Sequence, residues 1–159
     1  AGLSAIFAKN RINTTDISST DGEQVARGGD ALARYITKTI TLADGFDASN
    51  LVVTLDAYKP SGTDVRVYYK TLPTEATTPI DNELWVRMAQ FKSVANSTSN
   101  SDYKEHKFYT SNAFDAYGIP LANPISPRFN VWAIKIVLVS NSVAITPKVR
   151  DLRSIALDS

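Results

Sequence analysis

The stretch TLADGFDASNLVV, residues 41–53, packs Asp44, Asp47, Ser49 and Asn50 between two apolar runs, a density of oxygen donors that suggests calcium. An EF-hand loop needs acidic or amide donors at alternate positions, a glycine at the sixth and a bidentate glutamate at the twelfth. Here Asp44 and Asp47 stand three apart, and the twelfth position counted from Asp44 is Leu55. The pattern fails. A strand-to-strand connector fits better, with Gly45 taking the turn and Asp47, Ser49 and Asn50 bonding loose backbone amides.

His106, in YKEHKFY, is the only histidine, and neither a G-x-S-x-G elbow nor an H-E-x-x-H helix motif is present. On a polar strand face it reads as a solvated side chain. The chain has no cysteine, which removes disulfides, thiolate metal sites and thiol nucleophiles. Among the acids, Asp56, Asp64, Glu83, Glu105 and Asp151 fall on predicted strands. Glycoside hydrolysis needs two carboxylates roughly 5–10 Å apart across a cleft, and nothing in the spacing singles out a pair. Asp151, flanked by Arg150 and Arg153, reads as a structural ion pair. DGEQVARGGD has neither dinucleotide nor Walker spacing. The residues therefore offer no catalytic, cofactor-binding or metal-ligating set; no cofactor is expected, and the chain is read as not an enzyme.

The aromatics allow a different chemistry. Tyr58, Tyr68, Trp85, Tyr103, Tyr109 and Tyr117 include several expected to face away from the core, as sugar-binding platforms do, although tyrosine is also an ordinary strand former. The triplets Asn13-Thr14-Thr15 and Asn96-Ser97-Thr98 match the glycosylation acceptor, which carries no meaning without a secretory route.

The elements that must position these residues are strands. Period-two alternation places Ile36, Ile40 and Leu42 on one face of ARYITKTITL, and Leu51, Val53, Leu55 and Ala57 on one face of LVVTLDAY. In DVRVYYK, Val65, Val67 and Tyr69 alternate with polar positions, and KPSGT between the last two runs predicts a β-hairpin. ELWVRMAQF and YKEHKFYT are further strands. FNVWAIKIVLVS, apolar on both faces, is the expected central one. TPKVRDLRSIAL sets Val149, Asp151, Arg153, Ile155 and Leu157 opposite Arg150, Leu152, Ser154 and Ala156. The glycines at 28 and 29 interrupt the one helical pattern, GEQVARGGDALARY. KSVANSTSNSD and NAFDAYGIPLANPISPR read as irregular connections. The sum is an all-β, two-sheet antiparallel β-sandwich of jelly-roll or Greek-key type, with an extended N-terminal segment. Residues 1–33 form an N-terminal strand and linker, and residues 34–159 form the sandwich domain.

With 159 residues, 17 basic and 16 acidic side chains and a net charge of +1, the chain suits one domain and shows no electrostatic footprint for nucleic acid. Its longest apolar run, VWAIKIVLV, is broken by Lys135 and too short to span a bilayer as a helix. AGLSAIFAKNR lacks the plan of a signal peptide.

The run GGDALARYITKTITLADGFDASNLVVTLDAYKPSGTDVRVYYK, with AKNRIN before it and FNVWAIKIVL and TPKVRDLRSIAL after it, resembles a segment recurrent in structural proteins of contractile-tailed bacteriophages, cyanophages included. The resemblance implies a non-enzymatic virion protein of the tail or baseplate, assembled in the host bacterial cytoplasm, in which this module is one β-sandwich of a longer chain. Its expected partners are other virion structural proteins or further copies of itself, docked through sheet edges and loops. Leu3, Ile6 and Phe7, in the detached apolar piece LSAIFA, are the expected contacts. The alternative is a carbohydrate-binding β-sandwich that recognises host surface glycan.

Overall fold

The computed structural model describes residues 4–6, 26, 33–110, 117, 127–140 and 145–157. Its strands are β1 (Ser4–Ile6), β2 (Arg34–Ile36), β3 (Ile40–Thr41), β4 (Asn50–Tyr58), β5 (Thr63–Pro73), β6 (Val86–Arg87), β7 (Ala89–Gln90), β8 (Lys104–Tyr109), β9 (Phe129–Ser140) and β10 (Lys148–Leu157). They build two antiparallel sheets. The first has the order β1-β10-β4-β8-β7; the second has the order β2-β9-β5-β6, with β3 also paired to β9. Among the described residues the only helical element is a 3₁₀ turn, Ile80–Asn82.

The alternation that marks β4 and β5 also builds the core. Leu51, Val53, Leu55 and Ala57 face Val65, Val67 and Tyr69 across the layers, and Trp132, Ile134, Ile136 and Leu138 of β9 close the same cluster. Strand β9 is apolar on both faces because both faces are covered. Its outer side chains Ala133, Val137 and Val139 pack with Tyr68 under Ile80 and Trp85. The segment that follows β5 thus folds back as a lid over the second sheet.

Three expectations need correction. The KPSGT connection does make the turn, with Gly62 at φ 83° and the Thr63 N–H donating to the Pro60 carbonyl at 3.2 Å. It does not make a hairpin, because β4 pairs with β10 and β8 while β5 pairs with β9 and β6. Both strands bury one full apolar face, so stacking those faces in two layers removes more apolar surface from water than pairing them edge to edge.

The faces of ARYITKTITL and TPKVRDLRSIAL each change partway. Ile36 pairs with Lys135 and Ile40 with Trp132, so an advance of four on the edge matches three on β9. One extra residue moves Ile36 outward, where it is 41% exposed, while Ile40 packs on the core. In β10, Arg150 pairs with Asp56 and Arg153 with Thr54, an advance of three against two. Val149 is buried, whereas Ile155, of the same parity, is 58% exposed.

ELWVRMAQF is not one continuous strand. β6 pairs with β5 of the second sheet and β7 with β8 of the first, and between them Met88 donates its N–H to Val67 at 2.8 Å. This short switch closes one rim of the sandwich with Met88 in the core. Trp85 is buried on the outer side, and Leu84 and Val86 are exposed.

Candidate functional site

The opening acidic segment is tied down by an ion pair and a side-chain hydrogen bond. Gly45, at φ 87°, carries the turn, and the Phe46 N–H donates to the Ala43 carbonyl at 3.1 Å. Asp47 accepts from the Arg128 Nε at 2.7 Å, and the Asn50 Oδ1 accepts from the Thr110 hydroxyl at 3.1 Å. Among the described residues no group of three acidic or histidine side chains is placed to hold a metal ion.

His106 is not solvated, as the polar look of its strand suggested; it is 2% exposed. It shares the inner face of β8 with Phe108, opposite Leu55. The Gln90 Nε2 lies 2.9 Å from its Nδ1. An amide nitrogen only donates, so Nδ1 accepts and the neutral ring carries its proton on Nε2. Burial first, then the Lys59 charge, lowers its pKa to about 4.

The acids are dispersed over exposed faces. Asp56 and Glu105 stand opposite each other in the β4–β8 ladder, and Arg150 faces Asp56 from the other side. Glu105 also lies 3.5 Å from Arg153 and 3.8 Å from Lys107. Asp64 is the hub of a cationic group, with Arg66 at 3.1 Å, Lys59 at 3.8 Å and Arg87 at 4.0 Å. Asp151 lies 3.8 Å from Arg150, the ion pair its neighbours suggested.

Two clefts remain. The larger, about 310 Å³, opens on the second sheet between Ile36, Thr37, Lys70, Asp81 and Trp85. Two of its polar groups, Lys70 and Thr37, are already engaged. The Lys70 ammonium lies 4.6 Å from the Trp85 ring centroid and 3.4 Å from the Ala26 carbonyl, and the Thr37 hydroxyl accepts from the Ile134 N–H at 3.0 Å. Burial lowers the Lys70 pKa, with Asp81 and Glu83 opposing. The smaller cleft, about 280 Å³, lies at one end of the first sheet, between Tyr58, Asn100, Ile145, Thr146 and Lys148. Tyr58 and Tyr103 stack here with centroids 6.3 Å apart, and the Arg150 guanidinium covers the Tyr103 ring at 3.8 Å.

Of the aromatics singled out by type, Tyr68 and Trp85 are buried under the lid, and Tyr117 is 87% exposed. Tyr58 lines the smaller cleft and Trp85 the larger. Sequence reasoning missed Asn100, Thr146 and Lys148; Asn100 lies far from the other two in the chain and meets them where its loop and β10 both join the end of β4.

Ile6 ends β1 and pairs with Lys148, so the detached N-terminal piece adds to the edge of β10. Leu3 and Phe7 lie outside the described residues. β1 covers Lys148–Arg150 alone. Beyond it, Asp151–Leu157 carries no strand on that side among the described residues. Comparison with protein-family models, with curated proteins and with solved structures finds no match for this chain.

Proposed function

We propose that the chain is a non-enzymatic assembly module of a contractile phage tail or baseplate, docking neighbouring virion proteins through sheet edges. The observation that carries this reading is the open edge of β10. Its backbone groups beyond Arg150 have no strand beside them among the described residues, and Ile155 and Leu157 stand 58% and 37% exposed next to it. Such an edge is a template for strand addition, with main-chain bonds supplying affinity and alternate side chains specificity. A stable contact buries on the order of 800 Å² per partner, so the edge needs the adjoining sheet face as well. The strand order supports the jelly-roll form in part: with β2 and β3 as one bent strand, the chain alternates between layers from β1 to β5 and again from β8 to β10, while β5–β6 and β7–β8 each stay within one sheet. The scattering of the acids over exposed, cation-lined faces supports the absence of catalysis.

Antibody raised against the domain should label the tail or baseplate of virions from the phage that encodes it; label on the capsid alone, or on no particle, sinks the reading. Ile155→Asp should abolish docking while leaving the thermal transition in place. Deleting residues 1–9 should weaken assembly with the sandwich still folded. If the truncated domain unfolds, those residues serve its own core instead.

A second reading, binding of host surface glycan, is favoured by one observation: Tyr58 walls a cleft shared with Ile145 and with the polar side chains of Asn100, Thr146 and Lys148. Soluble neutral or acidic sugars should then shift resonances at that cleft, and a titration without shifts removes the reading.

A further inference from the structure

We infer that the cleft between Tyr58 and Lys148 takes a sugar residue that carries one carboxylate, a hexuronate. The inference rests on the glycan reading and adds the chemical class of the ligand.

The cleft is made by two chain segments laid over the end of β4. On one side the loop carrying Asn100 is tied down where the Lys59 N–H donates to the Ser97 hydroxyl at 2.9 Å and the Ser97 N–H donates to the Lys59 carbonyl at 2.9 Å. Within it, Thr98 donates its N–H to the Asp102 carboxylate at 2.9 Å, and this bond, ahead of the Lys104 charge, lowers the Asp102 pKa. On the other side Ile145 and Thr146 lead into β10, whose first residue, Lys148, pairs with Tyr58. The site is therefore braced on strands and on a fixed turn.

Charge decides the ligand. Around this end of the sheet each cation but one already has an acid. Arg150 lies 3.8 Å from Asp151, Lys104 lies 3.6 Å from Asp102, and Lys59 lies 3.8 Å from Asp64. Among the described residues Lys148 has no carboxylate within ion-pair distance; its ammonium sits 5.5 Å from the Tyr58 ring centroid. Asn100 and Thr146 likewise spend no side-chain hydrogen bond on the described residues. The cleft thus offers one uncompensated positive charge, an amide, a hydroxyl and an aromatic wall. One point charge balances one carboxylate, whereas a doubly charged phosphate would keep a net negative charge here, since the nearby Arg150 guanidinium is stacked on Tyr103. The ring supplies the apolar face on which the C–H side of a pyranose rests, and the amide and hydroxyl meet its hydroxyls. A volume of about 280 Å³ suits a single sugar residue at the chain end or within a polymer.

The test compares methyl glucuronide with methyl glucoside, which differ at one carbon, by titration of the isotope-labelled protein followed by NMR. The glucuronide should shift Asn100, Thr146 and Lys148, and should bind about tenfold tighter than the glucoside, as expected for a hydrogen bond to a charged group. Raising the salt should shrink that preference, because the ammonium is partly exposed. Lys148→Gln should erase the preference but keep residual binding, and Asn100→Ala, on an exposed turn that does not threaten folding, should weaken both sugars. Equal affinity for the two sugars at this cleft overturns the acidic specificity and leaves the glycan reading standing. Shifts confined to another surface, such as the Lys70 cleft, overturn the assignment of the site. No shift from either sugar up to about 20 mM, beyond the millimolar range of weak sites, overturns the inference and the glycan reading together.

Discussion

The ammonium of Lys135 lies 4.6 Å from the ring centroid of Tyr68 and 5.3 Å from that of Trp85, on a side chain with no solvent exposure. The Lys70 ammonium approaches the Trp85 ring at 4.6 Å. Two buried lysines thus share one indole. Ring faces offer a cation a negative quadrupole, worth on the order of 2 kcal/mol or more where water is excluded. This explains how the middle of the most apolar strand tolerates a charge.

Removing the indole should therefore cost more than its packing. Trp85→Ala is expected to destabilise the domain by about 3–5 kcal/mol from cavity formation alone, with a further loss because Lys70 loses its ring contact and Lys135 keeps only that with Tyr68. Lys135→Met keeps the volume and leaves the indole in place, so in urea denaturation it should cost less than Trp85→Ala, which opens a cavity as well as removing a ring. Equal losses in the two variants would show that the ring contributes packing only.

His106 gives the domain an acid sensitivity. Its pKa falls from the ordinary value of 6.5 to about 4 in the fold, so the folded state favours the neutral ring. The contribution is complete above pH 6.5 and is lost as pH falls toward 4, because the unfolded chain takes up the proton first. Allowing for partial screening, the loss is on the order of 2 kcal/mol. His106→Gln should flatten the stability profile across that interval relative to the parent, as read by denaturation midpoints at a series of pH values. An unchanged slope would locate the acid sensitivity in the carboxylates.

The link between Asp47 and Arg128 replaces the metal that the acidic segment first suggested. Both side chains are 40% exposed, so despite the 2.7 Å contact the pair is worth no more than about 1 kcal/mol. Asp47→Ala should lower stability by that amount, and millimolar calcium should leave the melting temperature of either protein unchanged. A calcium-dependent rise in the parent that is lost in the variant would restore the metal reading.

The layers of this fold were legible because β4 and β5 alternate and β9 is apolar on both faces, and Leu51, Val53, Leu55 and Ala57 all face inward as the pattern requires. Pairing was not legible. Pro60 and Gly62 announce a turn, yet a turn joins paired strands and stacked strands equally well. Trp85 alternates with Leu84 and Val86 as if on a strand, but it belongs to a lid that buries a second face. Of the Tyr58 cleft, the sequence offered the tyrosine alone; Asn100 and Lys148 become neighbours only once β10 lies beside β4.

The bulge in β10 turns on one backbone conformation. Asp151 sits at φ 55°, in the left-handed region that costs most residues roughly 1 kcal/mol or more and that aspartate, asparagine and glycine tolerate. The extra residue carries Val149 into the core while turning Ile155 and Leu157 toward solvent beside the open edge. Asp151→Asn should be nearly neutral, whereas Asp151→Val should cost about 1–2 kcal/mol through strain at a β-branched position. Deleting Asp151 should be worse than either. Without the extra residue the downstream strand either slips in register, which turns Leu152 and Ala156 out of the core, or loses its pairing to β4. Hydrogen exchange at residues 152–157 separates the cases: the Val variant should keep the protected ladder at reduced global stability, and the deletion should lose protection there. Full protection after deletion would show that the bulge does not set the register.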